Sequence, residues 1–300
     1  MKTRLTISLI TLMFLGILIT SSYSRELKVI HEKIFQTEMG KNFKLKTGSG
    51  DVYISTWNKP EVYVKISGNS KAEDKMKFRF ENSDEGVTIE GKHDKWFNWF
   101  SGSGIYVKYE IKLPDKYNAK ISTAGGDIKL YDLSGAVDFN TSGGDIFIKN
   151  TDGPVHSSTS GGDITIEINK GLLDLSTSGG DIHVKDFDGD LTVSTSGGDI
   201  VLSGKNGKVN ASTSGGDIKL TYLDSNKGID LSTTGGDIHV KVPENFSADA
   251  NLSTTGGDVE CNLPITSKGK ISASRIRGSL NGGGPKLECT TTGGDIKVTN

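Results

Sequence analysis

Short runs of alternating apolar and polar residues fill most of this chain, and they return at a fixed interval. Nine aspartates mark the repeat: Asp127, Asp145, Asp163, Asp181, Asp199, Asp217, Asp237, Asp258 and Asp295. The positions one and three residues after each are apolar, as in Ile182/Val184 and Ile200/Leu202. A second apolar pair sits eight and six residues before the aspartate, as in Leu173/Leu175 and Leu191/Val193. Period-two alternation marks a strand with one buried face, and helical spacing is absent. The aspartates step by 18 residues five times, then by 20 and 21. The last gap of 37 holds a degenerate copy, in which Gly269 to Ser274 match Gly207 to Ser212 and Ser279 stands where the aspartate belongs.

Each unit therefore reads as one turn of a flattened coil with two short strands and two corners. Neither strand buries its apolar face alone, so turns must stack into two parallel sheets around one thin core. The expected fold is all-β, a parallel β-solenoid of about ten turns. The Gly-Gly pair before each aspartate is expected to supply the unusual backbone angles of a tight corner. By parity Thr123, Thr141, Thr159, Thr177, Thr195, Thr213, Thr233, Thr254 and Thr291 point inward there, where a stacked hydroxyl ladder can satisfy its own hydrogen bonds.

The chain divides into three parts. Residues 1–24 carry Lys2 and Arg4, an apolar run from Leu5 to Ile19, and Ser22-Tyr23-Ser24 at a cleavage site, the pattern of a secretory signal peptide. Residues 25–117 alternate as strands but show only one weak corner copy, Thr47-Gly48-Ser49-Gly50-Asp51, and read as an N-terminal β cap over the open sheet edge. Asp84-Glu85-Gly86 marks a hairpin turn within that cap. Residues 118–300 are the solenoid, and the last strand, Ile296 to Val298, is expected at an uncapped edge that frays or pairs with another molecule.

Composition narrows the picture. The 35 basic and 37 acidic residues nearly balance, so no bulk field points to nucleic acid. No segment after the signal peptide is long and apolar enough to span a membrane. Five histidines without clustered spacing give no zinc site, and no metal or cofactor is expected.

The assembled pattern resembles the bacterial putative-adhesin domain of unknown function, a β-helical family of exported proteins. The residues that carry the resemblance are Ser49-Gly50-Asp51-Val52, Tyr109 to Pro114, and the serial Thr-Ser-Gly-Gly-Asp-Ile turns. Gly278 to Pro285 before Thr291 to Ile296 match as well. The resemblance implies an exported binding scaffold, periplasmic, on the cell surface or secreted, and brings no catalytic residues with it.

Several features carry candidate chemistry. The aspartates should stack along one rim about 4.8 Å apart. Neighbouring carboxylates there repel by roughly 0.9 kcal/mol in water. Calcium, as in a β-roll, would offset this, but the roll motif needs a further Gly-x-Asp in each half-turn. The bare Gly-Gly-Asp favours hydrogen bonds from backbone N–H or hydroxyl groups instead. Trp96, Phe97, Trp99 and Phe100 either stack on a glycan or plug the solenoid end. Arg275 and Arg277 beside the gap at Ser279 either contact an anion or relieve neighbouring aspartates. Lys129, Lys149, His183, Lys185, Lys219, His239, Lys241 and Lys297 face outward on one sheet, and Asp138, Asp174, Asp230 and Glu288 on the other. Cys261 and Cys289 fall at core-facing positions of opposite sheets, as a bridge across the core or as two buried thiols. The sequence thus reads as a non-enzymatic exported scaffold or adhesin-like module whose partner is a glycan or an envelope component. A calcium-stabilised roll, a carbohydrate-active β-helix enzyme, and self-assembly through the C-terminal edge are the alternatives.

Overall fold

The computed structural model describes residues 27–93, 104–267 and 272–300. The signal peptide, the Trp96–Phe100 cluster and Gly269–Ile271 lie outside the described residues. The first strands are β1 (Lys28–Gln36), β2 (Asn42–Thr47), β3 (Asp51–Trp57) and β4 (Glu61–Gly68). After the short helix α1 (Ser70–Lys75), capped by Asn69, come β5 (Met76–Ser83), β6 (Gly86–His93) and β7 (Val107–Pro114). The repeats then supply strand pairs: β8 (Asn118–Thr123) with β9 (Ile128–Ser134), β10 (Val137–Asn140) with β11 (Ile146–Asp152), and β12 (Val155–Ser158) with β13 (Ile164–Lys170). Next are β14 (Leu173–Ser176) with β15 (Ile182–Asp188), β16 (Leu191–Ser194) with β17 (Ile200–Lys205), and β18 (Val209–Ser212) with β19 (Ile218–Tyr222). The series closes with β20 (Ile229–Ser232), β21 (Ile238–Lys241), β22 (Ala248–Ser253), β23 (Val259–Cys261), β24 (Ile265–Ser267), β25 (Arg275–Leu280), β26 (Lys286–Thr290) and β27 (Ile296–Thr299).

These strands make two sheets of 13 and 14 strands, parallel wherever two repeats meet. Register is kept to the residue in most rungs, so Ile146 pairs with Ile164 and Leu173 with Leu191, and shifts where β15 meets β17, between Val184 and Phe187. Isoleucines that follow the corner aspartates, from Ile128 to Ile238 and Ile296, are 0–1% exposed. Facing them across the core stand Val137/Phe139, Leu173/Leu175 and Leu191/Val193, also buried. The β-solenoid read from the alternation is the fold.

Rung order departs from chain order at both ends. At the start, β2 and β3 form a full rung on the solenoid axis, with Phe43 opposite Ala119 and Val52 opposite Ile128. The chain then leaves through β4, α1 and the β5–β6 hairpin, and lays β6 and β7 against the outer side of that first rung. β4 and β1 continue the first sheet antiparallel, and β5 ends the second.

At the far end the last rung is not at the edge. β26 lies between β20 and β22, and β27 between β21 and β23. Val298 is fully buried. The expectation of a fraying C-terminal edge is therefore overturned. The degenerate copy is not a turn either: β25 runs antiparallel to β22 and β24 antiparallel to β25. Arg275 occupies the position of the inward corner threonine, and enclosing a guanidinium there without a partner would be costly. The segment reverses instead and covers the edge of the second sheet, while the first sheet ends on the three-residue β23. A short edge strand limits pairing with other chains.

The Gly-Gly corner works differently from the sequence expectation. Second glycines of most corners avoid the left-handed region, which only Gly50 and Gly126 enter. Close approach is what demands glycine: a Cβ on Gly198 would lie 2.0 Å from the carbonyl oxygen of Gly180 one rung below. That oxygen also accepts the Thr195 hydroxyl at 3.0 Å, and the pattern repeats for Thr159, Thr177 and Thr213. The threonines do point inward, but from Thr141 to Thr291 each bonds a glycine carbonyl of the adjacent rung, and Thr123 bonds Gly125 of its own corner, rather than another hydroxyl.

Each corner carboxylate accepts the amide N–H of the next rung's aspartate. The chain of bonds runs from Asp51 through Asp127, Asp145, Asp163, Asp181, Asp199, Asp217, Asp237 and Asp295 to Asp258, at 2.7–3.1 Å. Asp295 sits between Asp237 and Asp258, so the column has no gap at Ser279. That residue is buried and donates to Asp249 at 2.7 Å. Asp181→Ala removes one acceptor and should cost about 1 kcal/mol in chemical denaturation. Asp181→Asn keeps the acceptor and sheds a repelling charge, so it should match or exceed the native stability, and EGTA should leave both melts unmoved.

At the opposite corner Asp132, Asn150, Ile168, Asp186 and Asn206 adopt φ of 56–65°. The next residues inward, Leu133, Thr151, Asn169 and Phe187, fill the space between the sheets. The longer corners bring in Tyr222 and Phe246, packed edge to face at 6.3 Å, with the Tyr222 hydroxyl on the Gly207 carbonyl at 2.9 Å. Cys289 is buried in β26, Cys261 half-buried in β23 of the other sheet, and both are free thiols. Burial pushes both thiols up, so they stay protonated.

Tyr109, inside the first rungs, shares a 2.7 Å hydrogen bond with Thr47. Burial raises its hydroxyl to about 12 against the Thr47 bond that lowers it. A raised acid stabilises the fold fully below its unfolded value near 10 and loses that contribution as pH climbs to about 12. Stability should therefore drop across that alkaline window, and Tyr109→Phe should flatten the drop in urea titrations while losing about 1 kcal/mol at neutral pH.

Candidate functional site: an aromatic groove on the first sheet

The alternation that buries Val52/Ile54 and Val62/Val64 turns the residues between them to solvent. On β3 these are Tyr53 and Ser55, on β4 Tyr63 and Lys65, and on β7 Glu110 and Lys112. The ladders place Tyr63 beside Lys112 and Lys112 beside Ser55, and Lys65, Glu110, Tyr53 and Lys129 in one row. Ile34 on β1 pairs with Tyr63, and Tyr131 flanks the other side. Together they line an open groove of about 570 Å³.

Its aromatic walls are fixed by their neighbours. The Trp57 indole N–H donates to the Glu61 carbonyl at 2.8 Å, and its ring lies 6.3 Å from Tyr63 at 59°. Tyr131 and Phe147 meet at 5.6 Å. Lysine ammonium groups stand over these rings: Lys59 over Trp57 at 4.9 Å, Lys108 over Tyr53 at 4.8 Å, and Lys112 between Trp57 and Tyr63 at 5.6 and 6.0 Å. Such contacts hold the long side chains at the rim. Ile34 and Tyr131 remain 58% and 38% exposed, so a ligand finds apolar surface ready to cover.

The carboxylates of the groove are committed to neighbours. Glu110 meets Lys65 and Lys108, each at 3.2 Å. Burial alone would push its carboxyl up, but the two lysine bonds outweigh this and hold it below the usual range. Glu61 accepts from the Gln36 amide at 3.1 Å. A glycosidase needs one carboxyl kept protonated as acid beside a second carboxylate, and Glu110 is held in its ionised form. Among the described residues no three His, Cys, Asp or Glu side chains converge to hold a metal.

Residues singled out from sequence lie elsewhere. Trp96, Phe97, Trp99 and Phe100 are outside the described residues. Arg275 and Arg277 are exposed on β25, with Arg277 lining a shallow trough with Asp249, Asn251 and Glu288 on the second sheet. The aspartate column is a structural element of the corner. The groove's signal in the sequence is a pair of tyrosines at outward parity, in Val52-Tyr53-Ile54 and Val62-Tyr63-Val64, which the repeat pattern does not single out.

These features define a class, an all-β solenoid with a ligand-sized aromatic groove near one end. More particularly, the chain belongs to the Toastrack DUF4097 family, whose model matches residues 40–299. Among solved structures the chain is similar to a putative adhesin from Bacteroides fragilis, at 15% identity over 92% of this chain and 98% of that one, with a TM-score of 0.47. It is also similar to a putative lipid binding protein from Parabacteroides distasonis, at 14% identity over 90% and 96%, with a TM-score of 0.45. A putative cell adhesion protein from Clostridium sporogenes aligns at 12% identity over 91% and 99%, with a TM-score of 0.23. No curated protein matches.

Proposed function

We propose that this protein is an exported, non-enzymatic surface-binding scaffold, and that the groove holds sugar rings of a glycan. The observation that carries the reading is the gathering of Tyr53, Trp57, Tyr63 and Tyr131 at solvent-facing positions of β3, β4 and β9, within four neighbouring strands of the first sheet. Aromatic faces suit the apolar C–H faces of pyranose rings, while rim lysines, Glu110 and Ser55 suit hydroxyls. A continuous hydrogen-bonded sheet, parallel from β7 through β3 to β9 and antiparallel at β4, holds these side chains in place, as a binding surface requires. Export follows from the pattern of residues 1–24.

A glycan array probed with residues 25–300 tests it. The native chain should bind a defined set of glycans, and Trp57→Ala, at a half-buried position on the outer face of the sheet, should weaken them tenfold or more, about 1.4 kcal/mol. An unchanged hit pattern in that variant, with the melt intact, would remove the groove from the account of binding.

A further inference from the structure

At the far end of the same face, strands β19, β21, β27 and β23 bring Lys219, His239, Lys297 and Glu260 side by side. Lys241 stands in the next row between Thr221 and Thr299. Lys219, Thr221, His239, Lys241, Lys297 and Thr299 line a shallow trough of about 270 Å³, with Glu260 beyond its edge. Several lysines elsewhere on this face rest on a carboxylate or an aromatic ring: Lys149 meets Glu167 at 2.7 Å, Lys65 and Lys108 share Glu110, and Lys112 and Lys129 stand over Trp57 and Tyr53. In the trough only Lys297 is matched, by Glu260 at 2.9 Å. Lys219 and Lys241 have no acidic partner among the described residues. The Nδ1 of His239 is enclosed without a hydrogen-bond partner, so no structural bond at that atom explains the ring's place.

We propose that this trough binds the oxyanion groups of an acidic polysaccharide. The ladder presents Lys219, His239 and Lys297 at steps of about 4.8 Å, a linear array suited to a polymer with regularly spaced anions. Thr221 and Thr299 add hydroxyl donors beside Lys241. The opposite sheet carries Asp138, Asp174, Asp230 and Glu288 outward, with Lys120 on Asp138 and Lys286 on Glu288, and the whole chain has a net charge of −2, so no bulk field draws nucleic acid. The trough starts five strand spacings from Tyr131, about 24 Å, and acts independently of the aromatic groove.

The test is titration of residues 25–300 with labelled polygalacturonate, dextran sulfate, duplex DNA, neutral dextran and inorganic phosphate at low and physiological salt. Binding is expected for both acidic polymers and not for neutral dextran, with a shallower salt slope in the Lys219→Gln/Lys241→Gln variant. That variant should bind at least tenfold more weakly with its melt unchanged. Lys120→Gln on the opposite sheet should bind as the native chain does, and the double lysine variant should keep the groove's neutral-glycan hits on the array, so loss of one site is separable from loss of the other. Equal affinity in the double lysine variant overturns the proposal. So does binding of free phosphate alone, a preference for duplex DNA, or salt-reversible self-association by light scattering without polymer binding, which would make the acidic face of a second copy the occupant.

Discussion

Deleting Lys286–Asn300 should unfold the far end of the protein rather than trim it. The fifteen residues removed hold β26 and β27, which lie inside both sheets between the rung of β20 and β21 and the rung of β22 and β23. Leu287, Cys289, Ile296 and Val298 are all fully buried. At roughly 2 kcal/mol for each large aliphatic side chain removed from water, their loss approaches the whole stability of an ordinary domain. The outer rung also loses its parallel partners in both sheets at once, together with the Asp295 carboxylate that accepts the Asp258 amide. Hydrogen exchange should show protection lost from Ala248 to Leu280 and retained from Ile128 to Lys205, because stacked rungs depend mainly on their neighbours. Fraying limited to Val259–Cys261 would mean that the last rung is a peripheral addition.

A single methyl group at the right glycine should be nearly as disruptive locally. On Gly198 a Cβ would stand 2.0 Å from the Gly180 carbonyl oxygen and 2.4 Å from its carbon, both backbone atoms fixed by the parallel ladder. The rungs cannot part there without breaking the Thr195 hydroxyl bond and the Asp199 amide bond to Asp181. Gly198→Ala should therefore cost about 3 kcal/mol, the upper range for forcing atoms into a packed site. Gly197→Ala is the control, since its Cβ would meet the Gly179 oxygen at 3.4 Å, an ordinary contact. That variant should lose less than about 1 kcal/mol. Equal effects in urea denaturation would contradict the close-approach explanation.

How far the sequence disclosed this protein varies with the kind of information involved. Alternation around each Gly-Gly-Asp specified which side chains face the core, because a one-residue slip would expose the whole set. It specified nothing about which rung neighbours which. Leu287/Cys289 with Ile296/Val298 fits between Ile229/Leu231 with Ile238/Val240 and the rung of Ala250/Leu252 as well as it would fit outside them. Pairing order depended on Arg275, whose charge makes the degenerate copy unfit as a corner. The threonine ladder was legible as inward-facing, but its partner was not, since the glycine carbonyl becomes available only when rungs approach closely. Outward tyrosines on β3 and β4 carried the groove's signal, yet the neighbours that make them a site, Lys112 and Ile34, come from strands whose place in the sheet the pattern leaves open.

Distances between spin labels test the stacking most directly. In a chain with Cys261 and Cys289 replaced by alanine, labels at Lys129 and Lys219 should lie about 24 Å apart along the backbone, five strand spacings. Lys129 with Lys297 should span seven spacings, about 34 Å, and Lys129 with Glu260 eight, about 38 Å. The stacked order therefore predicts that position 297 lies nearer to 129 than position 260 does. The reverse order, or distances that fail to grow by one spacing per rung, would contradict it.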